Sequence, residues 1–565
     1  MQFQTSKVWF NQYPQDIDKT ISYENKPLHA FLQETAAEYP NHPAMNFYGR
    51  RWTYQKLLEN ASAFANQLAG LGVKKGDRVA IMLPNTPQSV ISYYGTLMAG
   101  AIAVQTNPLY VERELQHQLA DSEAKVIVCL DLLYPRVMKG KKETAVEHVI
   151  VTGIKDALAF PKNILYPLKQ RKTAAVKVDI EYNETTHHFH DFLQGGSIHV
   201  PDVSIRPEVD LALLQYTGGT TGPAKGVMLT HHNLVANTTQ CLRWMYRMKR
   251  GEEKTLAVLP FFHVYGMTVS MNLSIMHAAE LIILPKFDAG EVLKTIEKQR
   301  ITIFPGAPTM YVGLINHPEA ASFDLSSIEC CISGSASQPG EVQQEFEEMT
   351  GGKLVEGYGL TEASPVTHCN MIWESRKEGS IGLPWPDTDA AVFSHETGDI
   401  AGPGEVGELI VKGPQVMKGY WKREEETNAV FLEDWLMTGD MARMDEDGYF
   451  YIVDRKKDMI IAGGFNIYPR EVEEILYEHP AVKEAVVIGV PDPYRGETVK
   501  AFVVKKDHEE VTEEQLNAFC RERLASFKAP RLYEFRKELP KTSVGKILKR
   551  VLAAEETKNG SEKAL

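Results

Sequence analysis

The first half of the chain alternates continuous apolar runs with amphipathic stretches, and that alternation restricts the fold more than any other feature. DRVAIML, AIAVQTN and AKVIVCL are short and apolar, whereas PQSVISYYGTLMAG and VERELQHQLADS read as helices. Strands apolar on both faces belong to a sheet covered on both sides, and the helices between them make the crossovers of a parallel sheet. The pattern resumes in TLAVLP, ELIILP, EVLKTIEKQR and ITIFPG. It predicts an α/β fold whose large N-terminal domain has parallel-rich sheets with packed helices. From about residue 400 the runs EVGELIVKGP and YFYIVDR are turn-rich and β-like, which predicts a β-rich subdomain. Beyond Arg455 a small α+β C-terminal domain is expected. Its elements are helix REVEEILYEH, strands EAVVIGV and ETVKAFVVKK, helix TEEQLNAFCRERLASF and strand RLYEFRKE. The charged run DRKKD marks the boundary, giving domains 1–453 and 459–565 about a hinge at 454–458. The charged tail after about residue 552 is expected to fray.

Composition narrows the function. The 565 residues suggest three to four folding units at roughly 150 residues each. With 61 basic and 74 acidic residues the net charge is -13, so no nucleic-acid partner is expected. The cysteines are scattered with no C-x-x-C pair, which fits a reducing compartment and offers no zinc cluster. MQFQTSKVWFNQYP has no secretory pattern, and the apolar stretch TVSMNLSIMHAAELIILP is broken by Asn272, His277 and Glu280. The expected location is the cytoplasm. Residues 157–178 carry Lys162, Lys169, Arg171, Lys172 and Lys177 without an acidic residue, interleaved with Phe160, Ile164, Leu165 and Tyr166. They read as a solvated excursion, with a weak peripheral contact at the inner membrane face as the alternative.

Four segments carry chemistry. YTGGTTGPAKGV holds Gly218, Gly219, Gly222 and Gly226, Thr217, Thr220 and Thr221, and the single Lys225. Glycines let backbone N–H groups crowd around an anion, hydroxyls add donors and lysine adds a charge, so the loop suits a polyphosphate. Gly226 follows Lys225 where a Walker A loop has Ser or Thr. In GYGLTEAS, after SGSASQP, Tyr358 can offer a ring face to a flat base while Gly359 lets it approach. Thr361 and Glu362 follow, and Glu362 reads alone as either a solvated carboxylate or a magnesium ligand. In WLMTGDMARMDEDGYFYIVDRKKD the DEDG turn folds Asp440 back beside the segment ending at Arg455. That pair suits the two hydroxyls of a ribose, or is a surface salt bridge. In LPKTSVGKILKR, Lys546 read alone is a solvated charge.

Taken in order, YTGGTTGPAKGV, YGLTE, TGD, DRKKD and PKTSVGK resemble the adenylate-forming superfamily of acyl-CoA synthetases, adenylation domains and luciferases, over nearly the whole chain. PFFHVYG and WLMTGD resemble its bacterial members that act on long-chain fatty acids. The exchange of Pro223 and Ala224 departs from the usual proline directly before the loop lysine. The resemblance implies that a fatty carboxylate attacks the α-phosphate of ATP, giving acyl-adenylate and pyrophosphate, and that coenzyme A then displaces AMP. It assigns Thr217 to Lys225 to the β- and γ-phosphates and Gly334, Ala336, Tyr358 and Gly359 to the adenine. It assigns Thr361 to the α-phosphate, Glu362 with Thr221 to Mg²⁺, and Asp440 with Arg455 to the ribose. His263 would lie beside the acyl carboxylate, and Lys546 would bridge it to the α-phosphate. Lys457 would be the hinge of a mobile C-terminal domain whose swing brings Gly463 and Gly464 to the pantetheine path.

Medium-chain or aryl-CoA ligation is the alternative substrate reading. A carrier-loading adenylation enzyme is less favoured because the chain stops soon after Lys546, and a luciferase-like oxidase is the remaining reaction class. A homodimer stays an open expectation.

Overall fold

In the computed structural model, the apolar runs become the strands of an eight-stranded sheet. The structure describes residues 7–166, 178–217, 224–462, 465–492, 495–506, 509–525, 527–541 and 547–562. Strands Arg78–Met82, Ile102–Gln105, Ala124–Leu130, His148–Thr152, Thr186–His188 and Leu211–Thr217 run parallel to one another. Lys225–Thr230 and Gly419–Tyr420 then add antiparallel strands at one edge. Helix Pro87–Met98 explains why the sheet is covered: every one of its residues is buried. It begins with Pro87, and the Thr86 hydroxyl accepts from the Ser89 N–H, both strong helix starts. It crosses helix Tyr54–Gly70 so closely that a Cβ on Gly95 would stand 2.8 Å from the Ala61 carbonyl oxygen.

A second sheet pairs Lys254–Ala257 and Glu280–Ile283 with Pro43–Phe47 and Arg50–Thr53. A third runs Cys330–Ser333, Lys353–Gly359, Val366–Cys369 and Leu383–Pro384. ITIFPG, expected to continue the pattern, makes no regular strand: Ile303 forms only isolated bridges, to Thr255 and Cys330. The six cysteines are all free and buried, and burial pushes their thiols up out of the reactive range. Among the described residues no helix is long and apolar enough to cross a membrane. Phe160, Ile164 and Leu165 are exposed, whereas residues 167–177 of the basic stretch lie outside the described residues.

The chain divides into two units interleaved along the sequence. The larger comprises Gln12–Thr388 and Lys412–Phe431; the discontinuous one comprises Met1–Asn11, Asp389–Val411 and Leu432–Leu565. The discontinuous unit holds the antiparallel β-rich sheet around Gly407–Lys412, Trp435–Met444 and Phe450–Arg455. It also holds the α+β segment expected after Arg455. There strand Gly496–Lys505 pairs antiparallel with Val482–Asp492 and parallel with Leu532–Arg536, and helices Pro469–Tyr477 and Glu513–Arg523 complete the set. The tail does not fray at residue 552. Helix Lys549–Glu562 continues past it, because Leu552 is fully buried in an apolar cluster with Val486 and Phe502.

Candidate active site

The hairpin Leu211–Thr217 and Lys225–Thr230 brings the ends of the Gly/Thr loop together, with Thr217 opposite Lys225 in register. Gly218, Gly219, Thr220, Thr221 and Gly222 lie outside the described residues; the loop's two anchors do not. Tyr216, just before it, donates through its hydroxyl to Asp121 Oδ2 at 2.7 Å. Trp421 donates its indole N–H to the Asp121 carbonyl at 3.1 Å, and Arg423 pairs with Asp121 Oδ1 at 3.0 Å. Gly226 sits between these aromatics: a Cβ there would meet the Tyr216 ring at 3.2 Å and Trp421 at 3.4 Å.

Lys225 is half-buried and its ammonium lies 4.9 Å from the centre of the Tyr420 ring. The Tyr420 hydroxyl donates to Glu362 Oε1 at 2.8 Å. Burial, with the Glu362 carboxylate beside it, holds the Tyr420 phenol well above its ordinary pKa, so it stays a donor. Lys225 and Glu362, far apart in sequence, thus meet on one tyrosine that the sequence reading missed. Its only signal was a Gly-Tyr pair in MKGYWKR, the dipeptide that drew attention at Tyr358.

Glu362 stands on the short 3-10 turn Thr361–Ala363, half-buried like Thr361. The turn ends at Ser364, held at φ 74°. This left-handed conformation costs a non-glycine residue about 1–3 kcal/mol and persists where its surroundings enforce it. Here the Thr268 hydroxyl donates to the Ser364 carbonyl at 2.8 Å, and the Ser364 hydroxyl donates to the Gln415 carbonyl at 2.8 Å. Gly359 is required for a separate reason, since a Cβ would fall 2.1 Å from the Pro365 carbonyl oxygen.

Tyr358 lies opposite His368 across the strand pair, with ring centres 6.0 Å apart in an edge-on arrangement. Burial pushes His368 down to about 3, so the ring behind Tyr358 is uncharged at neutral pH. Gly334 is buried at the end of strand Cys330–Ser333, and a Cβ would press on the Tyr265 ring at 3.0 Å. Ala336 is exposed, two residues before Gln338, whose N–H donates to Glu356 Oε2 at 2.9 Å.

His263 follows a loop fixed from two sides. Asn85 accepts from the Phe261 N–H at 2.8 Å and donates to the Leu259 carbonyl at 2.8 Å. Gln215, on the strand leading to Thr217, donates to the Phe262 carbonyl at 2.9 Å. Burial pushes His263 down to about 4, so it is neutral at physiological pH.

The discontinuous unit carries the other described candidates. Asp440 lies directly opposite Arg455 in strand register, with Nε and Oδ1 3.4 Å apart. Asp440 is 8 % exposed, whereas the Arg455 side chain is 40 % exposed, so the guanidinium faces outward. Lys457 is exposed two residues on. Gly463, Gly464 and Lys546 lie outside the described residues. Among the described residues no three His, Cys, Asp or Glu side chains gather to hold a metal ion. A lone carboxylate such as Glu362 fits magnesium, which keeps most of its waters and takes one or two protein ligands.

Comparison with known proteins identifies the family. Residues 32–421 match the AMP-binding enzyme family and residues 471–546 match the AMP-binding enzyme C-terminal domain. The chain is 58% identical over 559 residues to a long-chain-fatty-acid--CoA ligase of Bacillus subtilis, covering 98% of this chain and 99% of the relative. It is 41% identical to the long-chain-fatty-acid--CoA ligase of Escherichia coli O157:H7, covering 97% and 98%. Among solved structures it resembles ATP-bound MatB from Rhodopseudomonas palustris, with TM-score 0.83 and 30% identity over 94% of this chain and 99% of that one.

Proposed function

The chain belongs to the AMP-binding enzyme family, and from that premise we propose that it activates long-chain fatty acids with ATP and transfers them to coenzyme A. It is an AMP-forming acid–thiol ligase. The observation that carries the reading is the meeting of Lys225 and Glu362 on Tyr420 beside the closed mouth of the Gly/Thr loop. A cation and a carboxylate held by one tyrosine side chain suit a metal-bound polyphosphate. The 58% identity to a long-chain-fatty-acid--CoA ligase supports the choice of acid.

The chemistry has two halves. A fatty carboxylate oxygen bonds to the α-phosphorus as the bond to the β-phosphate breaks, releasing pyrophosphate. The coenzyme A sulfur then bonds to the acyl carbon, and AMP leaves with the mixed-anhydride oxygen. In the first half two anions must meet, so the residues' main task is to offset charge. Lys225 and the loop N–H groups hold the β- and γ-phosphates, while Thr361 reaches the α-phosphate. Tyr358 lies against the adenine, with Gly334, Ala336 and Gly359 leaving it room. Asp440 and Arg455 hold the ribose. Neutral His263 stands by the acyl carboxylate without adding or losing a proton. Glu362 with Thr221 would hold magnesium, which when bound would supply positive charge to the phosphate oxygens. Lys546 delivers its ammonium to both reactants in the first half. A swing about 454–458, with Lys457 as hinge, then exchanges it for Gly463 and Gly464, whose bare backbone leaves space for the thiol arm.

A panel of acids of graded chain length, with ATP, Mg²⁺ and coenzyme A, tests the reading by following AMP and thioester together. Each buried methylene contributes about 0.8 kcal/mol, so long acids are expected to exceed short and aromatic ones by about tenfold or more. Equal turnover of aromatic acids would move the assignment to an aryl-CoA ligase, and adenylate without free thioester would point to carrier loading.

A further inference from the structure

We propose that Tyr420 is a positioning residue that sets the Glu362 carboxylate and the Lys225 ammonium for a magnesium-bound nucleotide, an inference that rests on the reading above. Its side chain touches both groups, the hydroxyl at 2.8 Å from Glu362 Oε1 and the ring centre at 4.9 Å from Lys225 Nζ. Its backbone is pinned on each side. The two-residue strand Gly419–Tyr420 pairs with the strand that carries Lys225, placing Tyr420 opposite Val227. The Tyr420 N–H donates to Thr427 Oγ1 at 2.9 Å, and the Trp421 N–H donates to the Gly226 carbonyl at 2.7 Å. The same segment holds Glu362 by its main chain, through the Met417 N–H donating to the Glu362 carbonyl at 2.7 Å.

The two contacts do different physical work. A carboxylate on a half-exposed turn explores several rotamers, and an O–H bond to one of its oxygens is charge-assisted and selects one. With Oε1 engaged by the phenol, Oε2 would be the oxygen left to meet a hydrated cation. The ring face attracts the Lys225 ammonium without neutralising it, so its charge stays available to a phosphate. A carboxylate in the same place would pair with the lysine and cancel it. Tyr420 therefore acts through Lys225 and Glu362 and takes no part in bond making.

Tyr420→Phe and Tyr420→Leu separate the two contacts, with Mn²⁺ as the metal probe and ATP as nucleotide. Mn²⁺ binding to the ATP-loaded enzyme is read by electron paramagnetic resonance. The Mg²⁺ dependence of acyl-adenylate formation is measured alongside. Tyr420→Phe is expected to weaken Mn²⁺ binding about tenfold, in the range of other groups that orient metal ligands, with little change in the ATP KM at saturating Mg²⁺. Tyr420→Leu is expected to raise that KM as well. In Glu362→Gln, adding Tyr420→Phe should cost no further metal affinity. An unchanged Mn²⁺ constant in Tyr420→Phe, or a loss that persists in Glu362→Gln, overturns the proposal. So does a fall in Tm and kcat with the metal constant unmoved. Should the native enzyme bind Mn²⁺ and ATP as expected yet form no acyl-adenylate from any fatty acid, the functional reading fails and the role of Tyr420 does not.

Discussion

Lys546 carries the heaviest demand of any single residue, and its neighbours keep that demand separable from stability. On either side of residues 542–546 the chain is pinned. Lys541 bridges to Ile547, and the Leu548 N–H donates to the Pro540 carbonyl at 2.8 Å. Three residues beyond Lys546, Lys549 pairs with Glu473 at 2.9 Å. Lys546→Ala should therefore leave the fold and the Tm unchanged. Loss of one fixed cation at a developing charge typically costs on the order of 100- to 1,000-fold in rate. Acyl-adenylate formation is expected to fall by that much, while supplied acyl-adenylate and coenzyme A still yield thioester at close to the native rate. Equal loss in both half-reactions, with the Tm intact, would refute the swing about 454–458.

The hairpin Trp435–Met444 and Phe450–Arg455 shows what an element contributes. Its turn is written in the sequence: Asp445 accepts from the Asp447 and Tyr449 N–H groups at 3.0 Å, and Gly448 takes φ 88°. Register alone then puts Asp440 opposite Arg455. An ion pair with one partner 40 % exposed is worth at most about 1 kcal/mol, so loss of this pair in Asp440→Ala should by itself lower the Tm little. If the pair holds the ribose, the ATP KM should instead rise about tenfold, the usual cost of roughly 1.4 kcal/mol in binding. Steady-state kinetics at varied ATP, with a melting curve beside them, decides between the roles. Such elements were legible because strand and helix periods and turn residues are local. Tyr420 was not, because its chemistry arises only when a two-residue strand pairs with one from far earlier in the chain. Asp121, joining Tyr216 to Trp421 and Arg423, escaped for the same reason. The extent of the last helix was missed because Leu552 finds its apolar neighbours on distant strands.

For the whole molecule, histidine burial predicts an acid weakness in the larger unit. Burial pushes His29, His263 and His277 down to about 4, and His231 and His368 down to about 3. Above pH 6.5 all are neutral whether folded or unfolded and cost nothing. Below it the unfolded chain takes up protons that the folded unit refuses, and each such histidine removes up to about 1.4 kcal/mol per pH unit until its folded pKa is reached. Calorimetry at pH 7.5 and 5.5, still above the range where ordinary carboxylates titrate, should show the larger unit melting several degrees earlier at the lower pH. A transition unmoved over that interval would contradict the burial of these rings. The division into interleaved units has a consequence in time as well. Trp9 is fully buried, with Phe450 6.2 Å away between ring centres, and Gly448 lies so close that a Cβ there would touch the Trp9 backbone at 2.7 Å. Synthesis runs from the amino end at about 5–20 residues per second, so on the ribosome this indole waits roughly 20–90 s for its partner to be made. A nascent chain stalled short of Phe450 would keep Trp9 uncovered for as long as the stall lasted.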